Sequence, residues 1–249
     1  MSRATLVAAL GAILLIGAAC GGDGDPTADE VSDEFIAAAQ EASDRSLLTI
    51  DDFPAGWVGT PDEDDDDGSA LELGPECDVL LGDLGDFRDE VASAESDDFS
   101  GPSDEDVNSG AAVFASVEAA QEAVDAINDG VDACRSAFEE ALLDFFQSSL
   151  EDDPDVDPEL LDEITVEVSF VDLAFAELGD ASNAYRLDIL VTVEDATLEP
   201  AADIVLMRQG RLTAGLFYFA LERPPIEREE ALARLIVTRM RAADASLPD

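Results

Sequence analysis

Between Val117 and Phe145 an apolar residue recurs every three or four positions: Val117, Ala120, Val124, Ile127, Val131, Cys134, Phe138, Leu142 and Phe145. That spacing draws one continuous stripe along an α-helix. Ser116 supplies an N-cap, and Glu118 falls in the first turn. A stripe this long needs a large apolar surface to bury it, which constrains the fold more than any other feature of the chain. Gly130 lies inside the run, costs ~1 kcal/mol there, and marks a place where the helix could divide in two.

The surface comes from the second half of the sequence. Ile164, Val166, Val168 and Phe170 alternate with polar residues, a period of two with one wet face. Tyr185, Leu187, Ile189, Val191 and Val193 repeat the pattern. Ile204–Met207 and Leu212–Leu221 flank Gln209-Gly210, a tight hairpin turn. Pro224-Pro225 ends the sheet, and Ile226 to about Ala245 reads as a closing helix. Its glutamates sit early and Arg239 and Arg241 late, complementing the helix dipole. A short helix over 29–42 and a short strand at Ala111–Phe114 precede the long helix. The order predicts an α+β fold, an antiparallel sheet flanked by helices.

The N-terminus reads as an address. Arg3 precedes an apolar run from Leu6 to Ala19. Its length suits a signal-peptide core and falls short of the ~20 residues of a membrane span. Cys20 follows directly. Ile16-Gly17-Ala18-Ala19-Cys20 resembles a bacterial lipobox, with Gly17 where a Leu-like residue is usual. The expectation is a signal peptide over 1–19, acylation of Cys20, a tether over 20–28 and one extracytoplasmic domain over 29–249. The alternative is an ordinary secretory signal in which Cys20 is incidental. Acylation places the protein at the cell membrane, lipid-anchored and facing out of the cytoplasm. It leaves two cysteines, Cys77 and Cys134, in a compartment where disulfides persist. A Cys77–Cys134 bridge would close a loop of about 57 residues, worth ~4 kcal/mol on the chain-entropy model. Two buried free thiols are the other reading.

Charge excludes several functions. The chain has 249 residues, 60 acids, 12 basic residues that are all Arg, no Lys, no His, and a net charge of −48. Nucleic acid is not an expected partner, since phosphate backbones are neutralised by Lys and Arg. Without His, the commonest zinc sites and the Ser-His-Asp and Cys-His nucleophiles are absent. Carboxylates are so abundant that no pair stands out as general acid and base. The expectation is no enzyme, no cofactor and no metal. The acidity is uneven: 1–180 carries a net −45 and 181–249 only −3. Adaptation to a saline medium explains such a surface; a cation-binding or basic-partner surface is the rival.

Three stretches read as acidic loops: 61–68, 95–109 and 151–158. The first resembles part of a calcium loop, with Glu63, Asp65, Asp67 and Gly68 in register. Gly74 stands where the bidentate glutamate belongs, so a solvated loop is expected. Pro54 and Gly56 mark a turn at which Trp57 packs.

Ala112–Phe138, Leu178-Gly179-Asp180 followed by Tyr185-Arg186, the Met207–Arg211 hairpin and the closing helix together resemble the PknH-like sensor-type extracellular domain of actinobacterial receptor kinases and stand-alone lipoproteins. The resemblance spans roughly residues 45–248. It implies an antiparallel sheet flanked by helices, with a ligand cleft and no catalytic residues. Members often carry two disulfides; this chain has cysteines for one besides Cys20. The expected function is a lipid-anchored ligand-binding or sensor-like module. The partner is an unknown small molecule or envelope protein. The rivals are a cell-envelope interaction lipoprotein and a cation-binding acidic lipoprotein. A cleft between sheet and long helix is the default pocket. Trp57, Tyr185, Arg186 and Tyr218 are candidates to line it, because aromatic and Arg side chains dominate recognition surfaces. Their other reading is ordinary core and sheet-face residues.

Overall fold

The computed structural model describes residues 31–61, 87, 89–152, 164–193, 196–223 and 225–248. The signal peptide, Cys20, the tether, Cys77 and the acidic segment 62–68 lie outside these residues. The described part is an antiparallel sheet with helices on both faces, so the α+β expectation holds. Helix α1 spans Asp33–Ser46, capped by Ser32, whose Oγ accepts from the Phe35 N–H at 3.2 Å. Strands β1 (Val58–Thr60), β2 (Glu90–Glu95), β3 (Asp98–Ser100) and β4 (Glu105–Phe114) follow. Then come helix α2 (Val117–Asp152), β5 (Ile164–Asp172), β6 (Ala181–Val193), β7 (Ala196–Leu198), β8 (Ala201–Gln209), β9 (Leu212–Ala220) and helix α3 (Ile226–Asp244).

The sheet runs β1-β3-β4-β9-β8-β6-β5, with β2 paired to β4 and β7 to β6. Side chains alternate across it. On one face, Phe35 and Ala39 of α1 and Leu232, Ile236 and Met240 of α3 pack on Val107, Val205, Met207, Leu212 and Leu216. On the other face, among the described residues, α2 lies alone, with Phe138, Leu142 and Phe146 against Phe170, Leu187, Ile189 and Phe219.

Two readings are corrected. Residues 95–109 are not a loop, because β3 and the first half of β4 lie within them. The period of two is present, but two of its inward positions hold Glu105 and Ser109. Both are buried with partners: Glu105 accepts from the Tyr218 hydroxyl, and Ser109 Oγ accepts from the Leu48 N–H at 3.0 Å. Polar residues in core positions hide a strand from a hydrophobicity pattern. Second, α2 does not break at Gly130; it is one helix of 36 residues that continues through Glu151 and Asp152, so the third acidic stretch begins inside it. Burial of the stripe on both sides of Gly130 outweighs the ~1 kcal/mol propensity cost. Ser116 does cap this helix, its Oγ accepting from the Ala119 N–H at 3.0 Å.

Among the described residues β5 is an edge strand, an exposed template for further pairing. Helix α2 guards part of it. The Phe170 N–H donates to Glu139 Oε1 at 2.7 Å, and Arg135 Nη1 donates to the Phe170 carbonyl at 2.6 Å.

Candidate functional site

Between α2 and the sheet lies a cavity of about 180 Å³. Register explains it. One row across the α2 face reads Glu95, Gly110, Gly215, Leu206 through β2, β4, β9 and β8. Two glycines face each other in the middle of the sheet. The next row brings Ser93, Ala112 and Thr213 side by side. Small residues leave the floor low, while Val124, Ile127 and Val131 of α2 form the roof. Further along the sheet Phe219, Leu187 and Phe170 rise to meet α2 and close the gap.

Neither glycine is there for its backbone. Among the described residues a Cβ built on Gly215 meets no atom within 4 Å, and one on Gly110 meets only the Ala94 carbonyl at 3.9 Å and Glu95 Cγ at 4.0 Å. Neither has a positive φ. Glycine in a strand interior weakens it, so what these positions provide is the absent volume.

The cavity wall is mostly aliphatic and aromatic, with polar groups toward β2 and β4: Glu90, Ser93, Glu95 and Asn108. Tyr185 lines it from β6. Its ring stacks on Phe170 with centroids 5.7 Å apart, and its hydroxyl donates to Asn128 Oδ1 at 2.8 Å. Burial, with the negative charges of Asp132 and Asp172 adding to it, pushes this phenol up to about 12. It therefore stays neutral at ordinary pH. Arg135 is the one cationic residue among the described lining residues. Its Nη2 donates to Asp172 at 3.0 Å and to Asp132 at 3.2 Å.

The structure brings only Tyr185 of the four sequence candidates to this cavity. Arg186 is the next residue on the strand and points through the opposite face. There its Nε donates to Asp203 Oδ1 at 2.6 Å and its Nη2 to Asp203 Oδ2, with Glu229 Oε1 3.7 Å away. Tyr218 also faces that side, its hydroxyl donating to Glu105 Oε1 at 2.6 Å and accepting from Arg228 at 3.2 Å. Trp57 stacks on Phe53, centroids 4.6 Å apart, beside Gly101. A Cβ on Gly101 would come within 2.8 Å of the indole. These three are core residues that pin elements together. Residues that the sequence analysis missed, Gly110, Gly215, Ala112 and Thr213, shape the cavity instead. The signal was available as a glycine inside a strand pattern, which marks a close approach or a gap.

What fold and site define is an antiparallel sheet covered by helices on both faces, carrying one apolar recess under its longest helix. No protein-family model matches the chain, and no curated protein matches it. Among solved structures the chain is similar to the extracellular domain of PknH from Mycobacterium tuberculosis, with a TM-score of 0.43 and 11% identity over 82% of this chain and 97% of that one. At that level the likeness carries no argument about function.

Proposed function

We propose that the chain is a lipid-anchored extracytoplasmic module that binds a small molecule between α2 and the sheet, as a sensor domain does, without catalysing a reaction. The observation that carries this is the Gly110–Gly215 pair. Two mid-sheet glycines that their backbone does not require keep open a recess that bulkier side chains would fill. The volume, about 180 Å³, exceeds the ~150 Å³ of a dry cavity known to take benzene. It is below the ~300 Å³ typical of drug-sized sites, so the recess takes a small ligand or one part of a larger one.

The anchor rests on the lipobox-like Ile16–Cys20 segment, and the PknH-like sequence resemblance points to the same compartment. A Cys77–Cys134 bridge belongs to this reading; Cys134 is fully buried on the inward face of α2. The absence of His and Lys favours binding over chemistry. A flat interaction face is less favoured, because among the described residues the exposed large apolar residues Ile36, Ile50, Val58, Val117, Val171 and Leu198 sit on six different elements.

Native mass spectrometry of the mature chain, exported with Cys20→Ser so that no lipid is attached, tests this. The expected result is a stoichiometric small-molecule adduct that Gly215→Leu removes, and a mass two hydrogens below that of the reduced chain. A bare mass in every preparation, with no ligand found by screening, defeats the binding reading.

A further inference from the structure

Resting on that binding reading, we propose that the cavity selects an uncharged hydrocarbon group and rejects a carboxylate on a chain of the same length. Along α2 and β8 the wall offers Val124, Ile127, Val131, Ile204 and Leu206, which can desolvate a guest but not hydrogen-bond to it. Toward β2 and β4 the wall turns polar, with Ser93 and Asn108 beside Glu90 and Glu95.

Arg135 could in principle receive a carboxylate. Its guanidinium is instead spread over three acceptors, the Asp132 and Asp172 carboxylates and the Phe170 carbonyl, and lies 5.6 Å over the Phe170 ring. Drawing it to a guest would release two carboxylates and the capped edge of β5. The one phenol among the described lining residues, Tyr185, donates its proton to Asn128. Among the described residues an anionic guest would thus be desolvated with no uncommitted counter-charge, which costs far more than burying the same chain capped by a hydroxyl. The chain's net charge of −48 adds long-range repulsion that salt reduces. The glycine pair sets the size: its side-chain-free strip admits one unbranched chain or one small ring.

Three probes of equal length, 1-octanol, octanoate and octylammonium, titrated calorimetrically at pH 8 into the mature Cys20→Ser chain test the proposal. Octanol should bind saturably with a negative heat-capacity change, and octylammonium, whose charge the apolar wall would also desolvate, more weakly. Octanoate should bind at least about tenfold more weakly, a discrimination of about 1.4 kcal/mol, and lose less of that handicap in low salt than in high. Gly215→Leu should abolish binding of octanol. Gly215→Val, a smaller change, should weaken it if the leucine variant fails to fold. Octanoate binding within threefold of octanol overturns the charge selectivity and leaves a ligand site standing. Failure of all three probes, where a host-derived adduct is still lost with Gly215→Leu, overturns the hydrocarbon class alone. Failure of all three with no adduct sinks the binding reading as well. Phosphatidylcholine vesicles then separate two sources of the same chemistry. Lipid carried off by the recovered protein identifies a membrane chain as the guest, and octanol binding without lipid transfer identifies a free small molecule.

Discussion

Leu216 and Gly215 are neighbours on β9, yet they belong to two differently built halves of the molecule. Leu216 points to the face covered by α1 and α3, where it is fully buried beside Leu212, Met207 and Tyr218. Gly215 points to the face covered by α2 and leaves a void. Charge divides the faces in the same way. The α1/α3 face is pinned by Arg186 to Asp203, Arg228 to Glu105, Arg239 to Asp52 and Arg211 to Asp244. Although burial works against its charge, hydrogen bonds from Arg239 and Thr49 hold the Asp52 carboxyl below the usual range. On the α2 side Arg135 at the sheet edge pairs with Asp132 and Asp172, and Arg208, in the row of Thr213, lies 3.5 Å from Asp180. The concentration of arginines in the last third of the sequence thus has a structural reason, because they fasten α3 to the sheet. One face is built to be shut, and the other has room left in it.

The comparison breaks most sharply at Arg186. It is 8% exposed, and its partners Asp203 and Glu229 are fully buried. Arg186→Met would leave carboxylate charge with no counter-ion, a loss expected at about 3–5 kcal/mol in urea denaturation. A loss below about 1 kcal/mol would show that the pair does not hold the closed face together. Leu216→Ala should cost about 2–5 kcal/mol through the cavity it opens. The same truncation at Ile127, roofing a void already present, should cost less. Equal costs would erase the distinction between the faces.

Glu229 offers a pH test of the closed face. Its carboxyl is buried against the Asp203 carboxyl, with Arg186 and, on its own helix, Glu230 also near. Burial and the neighbouring Asp203 carboxylate push it up to about 9 from the ordinary 4.5. The folded protein therefore keeps a proton that the unfolded chain releases above 4.5. Stability falls as pH rises from about 4.5 to about 9, by up to 1.4 kcal/mol per pH unit. Glu229→Gln mimics the protonated acid. Near pH 4 it should match the parent, and at pH 8 it should exceed it by about 1–3 kcal/mol, with a flatter profile between. Parallel profiles for the two proteins would show that Glu229 is ionised in the fold.

Much of this architecture was legible because it rests on period. The stripe of α2, the alternation of β5 and β6, the β8–β9 hairpin and the bounds of α3 follow from which residues are apolar. The β3–β4 segment was not legible, because Glu105 and Ser109 occupy inward positions and are satisfied by Tyr218 and Leu48, distant in sequence. Arg186 looked like a recognition residue for the same reason. Only the β6–β8 register, which sets Arg186 opposite Asp203, shows that its charge is already matched. The alternation of β6 puts Tyr185 on the α2 face, at the cavity wall. The cavity was half legible. Its place between sheet and long helix followed from the layers, but its shape depends on Gly110 meeting Gly215, a pairing fixed by strand register.

The smallest expected effect separates the two faces by sign. Gly215→Val introduces a β-branched side chain into open space at a position whose φ is already negative. Strand propensity and reduced freedom of the unfolded chain both favour the substitution. The methyl groups gain contact with Leu206 and Ile127 instead of meeting a packed wall. Stability should therefore rise by about 0.5–1 kcal/mol, in a molecule where enlarging a residue on the other face, Ala214→Val, should lower it by about 1–3 kcal/mol through overpacking. Paired urea melts of these two adjacent substitutions decide the matter. A stabilised Gly215→Val that binds octanol more weakly would mean that the glycine costs stability for the sake of the space it leaves. A destabilised one would mean that the void closes in solution, and that α2 rests lower on the sheet than the register of its floor implies.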